Sequence, residues 1–182
     1  AISDLNTAVT SAKTARTTAT DGATAVEGKV TADIATVPEV AAALKALQDT
    51  VTAAGTDSAT ALTDNITTAT NDLQTAINNA GAAKTDASTA IKNASPVTNE
   101  PTVQTAITAL TDLTGDPSSK TADINQAITD LDNAVKDAKA ERKTATDGAD
   151  AAEALVTDAN KDVPEIAAAL TDLTNAETAA GQ

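Results

Sequence analysis

Residues 1–55 read AISDLNTAVTSAKTARTTATDGATAVEGKVTADIATVPEVAAALKALQDTVTAAG, and residues 127–181 read AITDLDNAVKDAKAERKTATDGADAAEALVTDANKDVPEIAAALTDLTNAETAAG. The two align without a gap at an offset of 126. A third copy lies between them. Pro38, Pro101 and Pro164 are spaced 63 residues apart, and each is followed at plus 2, plus 6 and plus 9 by an apolar residue. Those residues are Val40, Leu44 and Leu47, then Val103, Ile107 and Leu110, then Ile166, Leu170 and Leu173. Self-similarity at a fixed period of this size marks supersecondary units that bury their apolar faces against one another. The unit is about 63 residues, which divides the chain into repeats at 1–55, 56–117 (the divergent copy) and 118–182. In the middle copy the motif at Asp72, Leu73 and Ile77 sits five residues late relative to Asp4, Leu5 and Val9. Five residues is not a whole number of helical turns, so a loop or a break must absorb the difference.

Within each unit the apolar spacing is helical. Ile2, Leu5, Val9, Ala12, Ala19, Ala23, Val26 and Val30 follow alternating steps of three and four, with Arg16 in the remaining slot. The same frame recurs at Ile128, Leu131, Val135, Ala138, Arg142, Ala145, Ala149, Ala152 and Val156. A similar stripe runs through Leu62, Ile66, Ala69, Leu73, Ala76, Ala80, Ala87, Ala90 and Ala94. This is heptad phase, and it predicts long helices with narrow seams. Short helices are expected from Pro38 to Ala54, Pro101 to Thr114 and Pro164 to Ala180, each opened by proline, whose missing N–H has no partner at a helix start. Gly55 and Gly115 read as C-caps of the first two, and Asp57 or Ser58, then Ser118 or Ser119, as caps of the following long helices. Two readings stay open at Asp21-Gly22 and Asp147-Gly148. Asp-Gly is a turn signal that would split each unit into three helices, whereas a heptad phase passing through unshifted favours a continuous helix, about 50 Å long if it reaches from Ile2 to Ala35.

Composition excludes more chemistry than it suggests. The 182 residues include no Phe, Tyr, Trp, Met, Cys or His. That removes the usual nucleophile–imidazole systems and the ordinary zinc, copper, haem and iron–sulfur ligand sets, together with the aromatic platforms that stack bases or cage cations. The hydrophobic fraction is 41%, but more than half of it is Ala, so the core must be thin. With 12 basic against 26 acidic residues the net charge is -14, which repels phosphate backbones and anionic lipid; no nucleic-acid partner and no membrane insertion are expected. The regular apolar spacing argues against a disordered acidic tail. The chain starts at Ala1 without Met, as a processed exported protein or a trimmed fragment would. The absence of oxidisable Met, Cys and Trp points outward, to an extracellular or cell-surface location.

Candidate chemistry is sparse. A basic residue stands eleven positions after the motif Leu in every copy, at Arg16, Lys84 and Arg142. In an Ala-rich seam such a residue either pairs with a carboxylate on a neighbouring helix and sets register or partner choice, or lays its stem along the seam with its head in water. Paired carboxylates occur at Asp130 with Asp132 and at Asp147 with Asp150 and Glu153, without the aromatic walls of a sugar-cleaving site. No EF-hand spacing is present, and an acidic surface binds calcium only diffusely. No catalytic residue, cofactor site or metal site is assigned. Thr is a poor choice for exposed helix positions. The pairs Thr7 with Thr18 and Thr20 with Thr31 have the eleven-residue spacing of ice-binding helices, though Lys29 and Ala42 break the row, and the sequons at Asn65 and Asn93 permit glycosylation. Thr tolerated by compositional drift is the simplest account.

The segments Ile124 to Lys139, INQAITDLDNAVKDAK, and Thr70 to Ala80, TNDLQTAINNA, have an A-x-x-x-L-x-x-A style over a unit of about 63 residues. In this the chain resembles the helical repeat arrays of giant Gram-positive surface proteins. The resemblance implies three-helix modules stacked into a stalk; it carries over no binding residue. The expectation is an all-α, elongated helical bundle of about three tandem repeats with heptad-like seams. It would be a non-catalytic extracellular stalk, spacer or fibre subunit that associates with itself or with flanking repeats, and it needs no cofactor. The alternative is an amphipathic helical bundle that carries a lipid or other apolar ligand.

Overall fold

The computed structural model describes residues 1–179, which are all-helical. Six α-helices follow one another: α1 (Ile2–Glu27), α2 (Pro38–Ala54), α3 (Thr60–Asn93), α4 (Pro101–Gly115), α5 (Thr121–Glu153) and α6 (Pro164–Ala179), with one 3-10 turn at Ser95–Val97 before α4. Of the two readings at the Asp-Gly pairs, the continuous one is found. α1 runs through Gly22 and α5 through Gly148, because the flanking Ala23, Val26 and Ala149 are buried and packing holds the helix across the glycine. The expected extension of α1 to Ala35 is not found. The helix stops at Glu27, and the chain then turns so that Ile34 and Val37 cover the end of the core, 5% and 2% exposed.

The prolines open the short helices as expected, but the caps differ. Gly55 does close α2, in a left-handed conformation (φ 50) that a side chain would strain. Gly115 instead belongs to α4, whose cap is Asp116. The residues preceding α3 and α5 are Ala59 and Lys120, with no side-chain cap. Asp57 and Asp116 fold their carboxylates onto the N–H groups of Ala59 and Ser118, at 2.9 and 2.8 Å, making Asx turns ahead of the observed helix starts. The five-residue lag of the middle copy is taken up between long and short helix. The connection 94–100 is three residues shorter than 28–37 and 154–163, and α3 ends two residues sooner after Leu73 than α1 and α5 do after Leu5 and Leu131.

Two buried clusters form the core. The first joins Ala23 and Val26 of α1, Ile34 and Val37 of the connection, Val40, Leu47 and Ala54 of α2, and Ile66, Leu73, Ile77 and Ala80 of α3. The second joins Ala83, Ala87 and Ala90 of α3, then Ala94 and Val97, Val103 and Leu110 of α4, and Ile124, Ala127, Leu131, Val135 and Ala138 of α5. Each cluster is thus built from the last part of one long helix, a short helix, and the first part of the next long helix. α3 serves both, changing neighbours between Ala80 and Ala83. The clusters run across residues 55/56 and 117/118, where the sequence repeats meet. Full burial of each Leu, Ile or Val contributes about 1.5–3 kcal/mol, and Ala at the seams lets backbones approach closely.

Candidate functional site

The three basic residues share one job. Lys84 on α3 donates from Nζ to the carbonyl of Asp33, at 2.7 Å, and Arg142 on α5 donates from Nη1 to the carbonyl of Pro96, at 3.1 Å. Asp33 lies five residues before Pro38 and Pro96 five before Pro101, so each contact is made to the same point of the connection that leads into a short helix. Arg16 on α1 is 9% exposed and donates from Nη2 to the carbonyl of Gly55, at 2.6 Å, while its Nη1 is buried without an acceptor. The acceptors are main-chain carbonyls at turns rather than carboxylates. Turn carbonyls lack helical partners, and a cationic donor satisfies them with a charge-assisted hydrogen bond. The ion pairs among the described residues are within single helices or turns, at Asp4, Lys45–Asp49, Lys143–Asp147 and Lys161–Asp158, and are well exposed; such pairs add little.

The two ends of the chain differ from its middle. Ile2, Leu5 and Val9 are 79%, 64% and 44% exposed, yet Leu131 and Val135, their counterparts of Leu5 and Val9 at offset 126, are 0% and 8% exposed in the second core. At the other end α6 has α5 as its principal neighbour, and Ile166 and Leu173 are only half-buried where their counterparts Val40, Leu47, Val103 and Leu110 are fully buried; Leu170 is half-buried like Leu44 and Ile107. A groove of about 340 Å³ lies between α5 and α6, lined by Val156, Ile166, Leu170 and Leu173 among others, and is continued by a second of about 270 Å³ beside Arg142, Ala149 and Ala176. Val163 and Leu155 stand exposed near it.

The remaining candidates lie apart from these features. Asp130, Asp132, Asp147 and Asp150 are exposed, and among the described residues no group of three or more carboxylates is placed to hold a metal ion. No helix among them is long and apolar enough to cross a membrane. Thr20 and Thr31 do not share a helix, because α1 ends before Thr31. The hydroxyls of Thr7, Thr10, Thr14, Thr17, Thr20 and Thr24 each donate to the carbonyl four residues back, at 2.8–3.1 Å, and the pattern continues along every later helix. This local bond satisfies the hydroxyl inside a helix and offsets part of the penalty for a β-branched residue. A groove of about 760 Å³ between α1 and α3 is lined largely by threonines, including Thr10, Thr14 and Thr67, which make this bond, and Thr63, whose buried hydroxyl has no partner among the described residues. Asp33 and Asp116 have carboxyls held below the ordinary value, the first mainly by the Thr31 hydroxyl and the second by the Ser118 N–H and hydroxyl.

The periodicity located Arg16, Lys84 and Arg142 but not their acceptors. A carbonyl carries no side-chain signature, and only the constant distance to the following proline marks Asp33 and Pro96. Comparison with known proteins gives no match to a protein family, a curated protein or a solved structure.

Proposed function

We propose that the chain is a non-catalytic structural protein: an elongated array of about three helical repeats that serves outside the cell as a stalk, spacer or self-associating fibre subunit. The observation that carries this reading is the sharing of α3 between two consecutive cores. A helix that ends one three-helix core and begins the next is a connection that propagates, with each unit stacked on its neighbour. The carbonyl contacts of Lys84 and Arg142, repeated at the same point of successive connections, support it by fixing each unit against the one before. So does a residue set without imidazole, thiol or aromatic groups, which suits packing and little else. The sequence likeness to stalk-forming repeats of Gram-positive surface proteins agrees with an exported location.

Electron microscopy of negatively stained protein, alongside titration with a fluorescent fatty acid, separates this reading from that of an apolar-ligand carrier. Slender particles and no saturable fluorescence change are expected. Compact particles that bind the fatty acid stoichiometrically would replace the structural reading with the carrier.

A further inference from the structure

We propose that the open groove between α5 and α6 of one copy receives the exposed first half of α1 from a second copy, so that chains join head to tail in the geometry already used inside the chain. The inference rests on the structural reading above and names the partner surface. In the second core, α3 and α4 form a groove that the first half of α5 fills with Leu131, Val135 and Ala138. At the chain's tail, α5 and α6 present the same pair of elements with Ile166, Leu170 and Leu173 where α4 has Val103, Ile107 and Leu110, and none of the described residues fills the groove. At its head, α1 presents Leu5, Val9 and Ala12 at the positions of Leu131, Val135 and Ala138, with Leu5 and Val9 exposed.

Charge and the register of the repeat point the same way. Between 2 and 16 the charged side chains are Asp4, Lys13 and Arg16, a net +1, whereas 142–179 carries eight carboxylates against Arg142, Lys143 and Lys161, a net -5. Opposite signs favour joining head to tail over head to head or tail to tail. Arg16 occupies the slot of Lys84 and Arg142, and the corresponding acceptor, five residues before Pro164, is the carbonyl of Ala159. Within the chain Arg16 is bonded to the Gly55 carbonyl, so the Ala159 carbonyl marks the register of the joint by its place in the repeat. The contact is heterologous, so it leaves a free head and a free tail after each addition and grows into open chains.

Sedimentation velocity on the full chain over a range of concentrations, with Leu5→Asp and Leu170→Asp variants, tests this. The natural chain is expected to form a concentration-dependent ladder beyond the dimer. Each variant alone should weaken association at least tenfold while circular dichroism keeps its helicity, and Val9→Asp, on an uncovered stretch of α1, serves as a second head variant. An equimolar mixture of Leu5→Asp and Leu170→Asp retains one good tail and one good head, so it should form a dimer that stops there. A natural chain that stays monomeric, that stops at a symmetric dimer, or whose variant mixture fails to pair would overturn head-to-tail joining. A monomer that is still slender in scattering would leave the stalk reading standing, with flanking repeats of a longer polypeptide covering the ends.

Discussion

Leu5 and Leu131 occupy the same place in the repeat, yet one lies on the surface and the other in the core, so a matched pair of alanine substitutions measures what the surroundings contribute. Leu131 is 0% exposed within the cluster that joins α3, α4 and α5. Truncating such a leucine removes its transfer free energy and leaves a cavity, a loss of about 2–5 kcal/mol. For a chain of this length each kcal/mol lowers the melting midpoint by roughly 2–4 °C, so Leu131→Ala should lower it by about 4–20 °C. Leu5 is 64% exposed and buries little apolar area, and Ala is at least as good a helix former. Leu5→Ala should therefore stay within about 0.5 kcal/mol of the natural chain. Far-ultraviolet circular dichroism is the signal, since the chain has no aromatic residue to fluoresce, and low protein concentration keeps association out of the measurement. Equal losses for the two variants would refute the asymmetry between the ends and the middle, as would a Leu131→Ala midpoint unchanged within a degree.

Helix continuity through the Asp-Gly pairs predicts that Gly22→Ala and Gly148→Ala each stabilise the fold by about 0.4–1 kcal/mol, because a Cβ at either glycine meets nothing within 4 Å; a loss in thermal denaturation would show a turn there instead. Asp33 and Asp116 have carboxyls lowered from the ordinary value of 3.8. Groups depressed on folding contribute stability above the unfolded value and lose it as pH falls through the folded one. Asp33→Asn with Asp116→Asn should therefore flatten the fall in melting temperature below about pH 4, by a small amount because both groups are exposed; identical acid limbs would contradict this.

The 63-residue period and the heptad frame made the helices legible, along with the prolines that open the short ones, because both patterns are local. The ends of the long helices were less so. α1 stops at Glu27 because Ile34 and Val37 gain more by covering the core than by continuing the stripe, a tertiary preference that the frame at Val30 does not reveal. The expected caps missed by a residue or two because Asp57 and Asp116 use their carboxylates in Asx turns. For the candidate site, spacing identified Arg16, Lys84 and Arg142 but not the carbonyls they bind. It gave Ile2, Leu5 and Val9 the same standing as Leu131 and Val135, since periodicity shows that a face is apolar and not what covers it.

Small-angle X-ray scattering of the monomer distinguishes a stacked array from a compact bundle. A compact globule of this length has a radius of gyration of roughly 16 Å. In the proposed elongated array α3 spans two cores and the ends of α1 and α5 extend beyond them, so a rise of about 1.5 Å per residue would give a rod of about 90 Å, whose radius of gyration is about 26 Å. The account predicts a value near the latter with a long-tailed pair-distance distribution; a value near 16 Å with a symmetric distribution would contradict it.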